Sequence, residues 1–397
     1  MELSPFLSLL ALKHGSDLFF SAGARPHVKV EGNLIPVGKK TMMGEEILEM
    51  AHSVMDEDQK DEFERTWECN LGVGLKGVGR FRVNVFRQRG EPAIVIRFIK
   101  DHIPTIAALG LPTVLKDLMN KKRGLILVVG STGSGKSTTL ASMIDYRNET
   151  FPGHILTIED PIEFIHQHKR SIVNQREVGL DTQSYGMALK NAMREAPDVI
   201  LIGEIRAADT MRHALAYAET GHLCLSTLHA NNANQALDRI VSFFPESAHR
   251  QILMDLSLNL QAVVCQRLIP AKNGGRVPAV EVMLLSRYVS DLILKGEIKG
   301  LKDAMEQSEM AGMQTFDQAL FQLYKDGSIG LEEALSHADS RNDLSLRIRM
   351  SSAGEAGEQV LLASDPAIDA FMREEPGAEV GAQSEQEPPA RSAGSSG

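Results

Sequence analysis

Three cysteines in 397 residues, Cys69, Cys224 and Cys265, are few, far apart and odd in number. That excludes a disulfide framework and a zinc cage, and leaves reduced, packed thiols. No apolar run approaches the roughly 20 residues that cross a bilayer as a helix. The apolar stretch at residues 6–12 is short, has no basic flank before it and is followed by Lys13 and His14, so it fits an amphipathic first helix and not a signal peptide. Excess positive charge is missing as well. A formal net charge of −10 lacks the basic footprint of nucleic-acid binding, so no nucleic-acid partner is expected. These absences together point to the cytoplasm, and no internal repeat stands out.

With 43% hydrophobic and 24% charged residues, the chain can bury a sizeable core in two or three domains. Strands are expected at residues 18–20, 28–30 and 34–37, with a turn at 31–33, then two polar helices between Gly44 and Arg65. Residues 80–87 alternate, turn at 89–91 and return over 93–99, which makes residues 1–100 a small α+β domain with a meander sheet. Pro104, Gly110 and Pro112 mark a linker at 101–112. Beyond it, apolar runs at 125–129, 155–158, 199–202 and 223–226 alternate with helical stretches. This is the pattern of an α/β domain with a mostly parallel sheet covered on both faces, over residues 113–350. Helices are expected to dominate after residue 246, where Leu253, Leu256, Leu260 and Val264 keep helical spacing. Residues 351–397, rich in Gly, Ala, Ser, Glu and Pro, form an acidic tail expected to be disordered apart from a short helix at 360–372.

Gly130, Ser131, Thr132, Gly133, Ser134, Gly135, Lys136 and Ser137 match Gly-x-x-x-x-Gly-Lys-Ser/Thr, after an apolar run and before a helix that Thr138 opens. Glycines let main-chain N–H groups converge on phosphate oxygens, and the helix start adds partial positive charge. Lys136 is expected to reach the β- and γ-phosphates of ATP and Ser137 to ligate Mg²⁺. Carboxylates Glu159, Asp160 and Glu163 follow one buried run, a strand end where ligand-facing residues sit, unless they form only a solvated acidic loop. Glu204 ends the run at 199–202, the form of a Walker B strand with Gly203-Glu204 where Asp is common; it would hold the Mg²⁺ hydration shell or polarise the attacking water. His222 and His229 bracket the last run, and His166 and His168 lie nearby, but no tight ligand quartet exists. Each has a structural reading; for one of them the sharper alternative is γ-phosphate sensing by a neutral imidazole. Alternation puts Arg80, Arg82 and Asn84 on one strand face, with Arg97 on the returning strand. Exposed arginines ordinarily serve solubility; the alternative is reaching another subunit's γ-phosphate, worth about 10³–10⁵ in rate.

Over roughly residues 3–348, these motifs resemble the secretion ATPase superfamily, in particular the PilT/PilU branch of type IV pilus retraction motors. The matching segments are the loop at 130–137, the Asp box at 158–163, the strand end at 202–206 and the His box at 220–239. The resemblance implies hexamers in which a PAS-like N-terminal domain sits on a neighbour's RecA-like ATPase domain. It also implies that Arg82 and Arg97, with Arg80, approach nucleotide across domains. Glu163 and Glu204 resemble the water-activating and Walker B carboxylates, and His229 the phosphate sensor. PilT-type motors carry Ala-Ile-Arg-Asn-Leu-Ile-Arg-Glu where residues 288–295 here read Tyr-Val-Ser-Asp-Leu-Ile-Leu-Lys; segments 229–235 and 342–344 are closer to PilU. The expected function is a hexameric ATPase that couples ATP hydrolysis to pilus retraction and twitching, as a PilU-like accessory to a PilT-type motor at an inner-membrane platform protein. A nucleotide-binding docking subunit with little hydrolysis of its own is the alternative.

Overall fold

The computed structural model describes residues 2–30, 32–99, 102–308 and 310–355. Residues Met1–Asp339 cluster as one unit and those from Ser340 as another.

Helix α1 (Ser4–Leu12) precedes strands β1 (Asp17–Ser21), β2 (His27–Val30) and β3 (Asn33–Pro36). Helices α2 (Gly44–His52) and α3 (Glu57–Thr66) follow, then β4 (Glu68–Leu75), β5 (Gly79–Gln88) and β6 (Glu91–Ile99). Asp56 starts α3 as a capping box, accepting the Gln59 N–H at 2.8 Å while the Gln59 side chain bonds back to Asp56. The six strands form one antiparallel sheet in the order β3-β2-β1-β6-β5-β4. The expected meander is thus two three-stranded meanders joined where β1 pairs with β6. Alternation on β5 buries Phe81, Val83 and Val85 and turns Arg80, Arg82 and Asn84 to the other face. Each such burial contributes about 1.5–3 kcal/mol.

No helix or strand occupies residues 102–113. Next come α4 (Val114–Met119), β7 (Gly124–Val129), α5 (Lys136–Thr150), β8 (Gly153–Glu159), β9 (Ser171–Glu177) and α6 (Tyr185–Ala192). They are followed by β10 (Val199–Ile202), α7 (Ala208–Glu219), β11 (Leu223–Leu228), α8 (Ala233–Ser242), α9 (Glu246–Asn259), β12 (Leu260–Pro270) and β13 (Arg276–Leu284). The seven strands form a sheet ordered β13-β12-β7-β11-β10-β8-β9, parallel except for β13. Every residue of β7, β10 and β11 is buried, as in a parallel sheet covered on both faces.

Leu260 and Val264 correct the expected run of helix. The helical spacing from Leu253 ends with α9 at Asn259, and both residues belong to β12, alongside β7. An apolar run that is buried on both faces satisfies i, i+4 spacing whether it is helix or strand, and the β-branched Val263, Val264 and Ile269 favour strand. Helices α10 (Arg287–Lys295), α11 (Leu301–Glu306), α12 (Phe316–Lys325) and α13 (Leu331–Ser336) complete the first unit. The second unit contains α14 (Arg341–Glu355), which runs five residues into the stretch expected to be disordered, since extending a helix is cheaper than starting one. The rest of that tail, with the helix expected at 360–372, lies outside the described residues.

Candidate active site

Four parallel strands bring the motifs to one edge. Register pairs Leu228 with Val129, Ile202 with Ser226, and Ile202 with Ile158, so Gly130 and His229 leave the sheet level with each other, and Glu159 and Gly203 leave it together two residues earlier, on the same edge. That edge is the carboxyl edge, where open α/β sheets bind ligands. Hydrogen bonds beyond the regular ladder pin the exits. Gly203 N–H donates to the Ile158 carbonyl at 2.8 Å, Ile205 N–H to Thr227 at 2.9 Å, and the Thr227 hydroxyl to Gly203 at 2.7 Å.

Between β7 and α5, the loop 130–135 curls over the helix start. Gly135, at φ 91°, adopts a left-handed turn that L side chains avoid. At Gly130 a Cβ would lie 2.6 Å from the Gln266 carbonyl oxygen, so β12 excludes any side chain there. Ser137 and Thr138 lie in the first turn of α5, whose main-chain N–H groups have no partner within the helix. Lys136 is 8% exposed and donates from Nζ to the Gly130 and Ser131 carbonyls at 2.9 and 2.8 Å. Burial lowers its pKa, opposed by the charges of Glu204 and Glu163.

A cleft of 340 Å³ opens here, with Gly133, Lys136 and Ser137 on one wall and Glu163, Glu204 and His229 on the others. Gly130, Ser131 and Ser134 line an adjoining cleft of 370 Å³ beside Gln266 and Arg267, and Thr132 borders both. Glu204 pairs with Arg206, and its Oε2 is buried without a hydrogen bond, 3.6 Å from His229 Nε2. Burial, and then the Lys136 charge, lower the His229 pKa against the Glu204 charge, which favours the neutral imidazole overall. Burial pushes the Glu159 carboxyl up to about 7, with the Glu163 and Glu177 charges adding and hydrogen bonds from Thr157 and Gln175 opposing.

The arginines stand elsewhere. Asp17, Arg97 and Arg82 are cross-strand neighbours on β1, β6 and β5. Arg97 Nε donates to Asp17 Oδ1 at 2.8 Å, and Arg82 faces Glu177 at 3.9 Å. Arg80 packs over Gly72 on β4. None of the three lines the 340 Å³ cleft.

Sequence reading missed Tyr185, whose buried hydroxyl lacks a partner and borders the cleft, and Gln266 and Glu177, which sit on strands it did not identify. Arg206 was in view, two residues past Glu204, yet only geometry pairs them. No motif marks Tyr185.

Residues 68–286 match the family model described as type II/IV secretion system protein. The chain is 54% identical to the type IV pilus ATPase PilU of Pseudomonas aeruginosa, over 90% of this chain and 94% of that protein. It is 40% identical to the type IV pilus retraction ATPase PilT of the same organism, over 85% and 98%. A crystal structure of the pilus retraction motor PilT with bound ADP superposes with a TM-score of 0.81 at 41% identity, covering 86% of this chain and 98% of that one. On its sequence, its fold and the placement of its motifs, the chain belongs to the type II/IV secretion system protein family, in the PilT/PilU group of pilus ATPases.

Proposed function

We propose that the chain is an ATP hydrolase that drives type IV pilus retraction and twitching motility. One observation carries this reading: Lys136, Glu163, Glu204 and His229, from four separate strand exits, converge on one cleft beside a phosphate loop. The ADP in the PilT relative supports nucleotide in this cleft. Loop N–H groups and Lys136 would hold the phosphates, Glu163 and Glu204 would orient and polarise the attacking water, and neutral His229 would sense the γ-phosphate. For Mg²⁺ the donors fit: Glu204 keeps a buried carboxylate oxygen without a hydrogen bond, and Ser137 offers a hydroxyl. Among the described residues no cluster of three His, Cys, Asp or Glu could cage a metal alone. Mg²⁺ in such sites takes most of its ligands from water and phosphate, with Glu204 acting through water. Bound there, Mg²⁺ neutralises charge that develops on the phosphates.

The finer reading has a PAS-like domain at 1–100, a linker at 101–112 and a RecA-like ATPase domain at 113–350. It assembles as a homo-hexamer, in which Arg80, Arg82 and Arg97 act on a neighbour's nucleotide. Its setting is the cytoplasmic side of an inner-membrane pilus platform protein, as a PilU-like accessory to a PilT-type motor. The changed segment at 288–295 supports the accessory role, because α10 presents Tyr288 and Leu294 to solvent there. No helix among the described residues is long and apolar enough to cross a membrane.

The test is phosphate release from ATP and Mg²⁺. Lys136→Ala is expected to lower the rate about 100-fold or more with the fold intact, since its charge serves phosphate. A folded variant that hydrolyses at the wild-type rate would sink the assignment.

A further inference from the structure

β9 ends at Glu177, level with Glu159 at the end of β8. Its carboxyl is 2% exposed and is not among the groups assigned to hydrolysis above. Oε2 accepts the Ile162 main-chain N–H at 3.2 Å, and Oε1 faces Arg82 Nη1 at 3.9 Å. The surrounding main chain is tightly tied. Glu177 N–H donates to Asp181 Oδ2 at 2.9 Å, the Glu177 carbonyl accepts from Asp181 N–H at 2.8 Å, and Val178 N–H donates to Glu159 at 2.9 Å. Leu180, in the same turn, lies 3.6 Å from where a Cβ on Gly72 would stand, so the turn rests on the arginine face of the first sheet.

We propose that Glu177 is a positioning residue for hydrolysis, whose two oxygens hold the main chain next to Glu163 and the Arg82 guanidinium at once. The arginine face of the first sheet thereby sets the place of the loop that carries Glu163, within a single chain. An acid is an expensive choice for this position. Burial favours its neutral form, and a neutral amide would still give the Ile162 N–H an acceptor, though a weaker one. What the acid adds is charge opposite Arg82 and Arg80: burial raises its pKa, and the Ile162 N–H and then both arginines favour its ionised form. The acid therefore belongs to the link between sheets and is more than a prop for one amide. This inference rests on the hydrolytic reading of the cleft.

The test uses the full chain with ATP and Mg²⁺, reading kcat, KM and, separately, ADP affinity. Glu177→Gln keeps an acceptor for Ile162 and loses the charge; it is expected to lower kcat about 3–10-fold, and Glu177→Leu, which loses both, about 10–100-fold. ADP affinity should stay within about 2-fold in both, because the phosphate loop is untouched. Wild-type kcat in folded Glu177→Gln would overturn the proposal, as would a loss of ADP affinity that matches the loss of kcat. If Glu177→Leu fails to fold, Glu177→Gln decides alone. Hydrogen exchange at the Ile162 amide gives a readout that needs no turnover: Arg82→Gln, on the other sheet, should speed it several-fold. Unchanged exchange overturns the link even if the wild-type chain releases no phosphate, a result that would instead count against the hydrolytic reading.

Discussion

Lys136 and Glu159 show how burial tunes the cleft. The ammonium sits among carbonyl oxygens of its own loop, held positive by Glu204 and Glu163, and phosphate oxygens can replace those carbonyls. Glu159 bears the opposite cost. With its folded pKa raised from 4.5 to about 7, the folded chain binds the proton more tightly than the unfolded chain does. Its contribution to stability is therefore full below pH 4.5 and is lost as the pH rises through 7. The Glu163 and Glu177 charges add to the burial that raises it. Glu159→Gln should remove that loss and gain about 3 kcal/mol over the wild-type chain at pH 8 but under about 0.5 kcal/mol at pH 4.5. Urea unfolding at the two pH values measures the gain. An equal effect at both would mean that Glu159 does not titrate as described.

Among the elements, β12 is the one whose role was hardest to foresee. It flanks β7, and its Gln266 braces the nucleotide helix from behind. The Thr139 hydroxyl donates to Gln266 Oε1 at 2.6 Å, with both residues buried. Gln266→Leu strands that hydroxyl and should cost about 1–3 kcal/mol, whereas adding Thr139→Val should recover much of the loss, because an apolar pair leaves nothing unsatisfied. Unfolding of the two single variants and the double measures this, and strictly additive losses would refute the brace. The strands β7, β8, β10 and β11 are legible because largely apolar runs followed by Gly, Glu or His carry their own punctuation. β9 was not, since an edge strand reading Ser-Ile-Val-Asn-Gln-Arg-Glu is half polar. β12 was hidden for the opposite reason: it is apolar at eight of its eleven positions and follows a true helix, so it inherited that helix's period. Gln266 and Glu177 went unnoticed with the strands that hold them.

For the whole molecule, motif spacing made the cleft legible in advance, whereas the link from Arg82 to Glu177 joins residues 95 positions apart in sequence and only the fold brings them together. In the proposed hexamer, mixing Arg82→Ala with Lys136→Ala chains should restore some phosphate release, since some sites would combine an intact loop with a neighbour's intact arginine. With subunit exchange verified by a labelled chain, background activity would confine Arg82 to its own chain, as its contact with Glu177 already allows. Retraction is the claim on which the rest depends, and the direct measurement is the speed of single pili pulling against a load in cells whose only copy of this chain carries Lys136→Ala. The account predicts normal numbers of surface pili and impaired retraction under load. Bald cells, or loaded retraction at the wild-type speed, would contradict it.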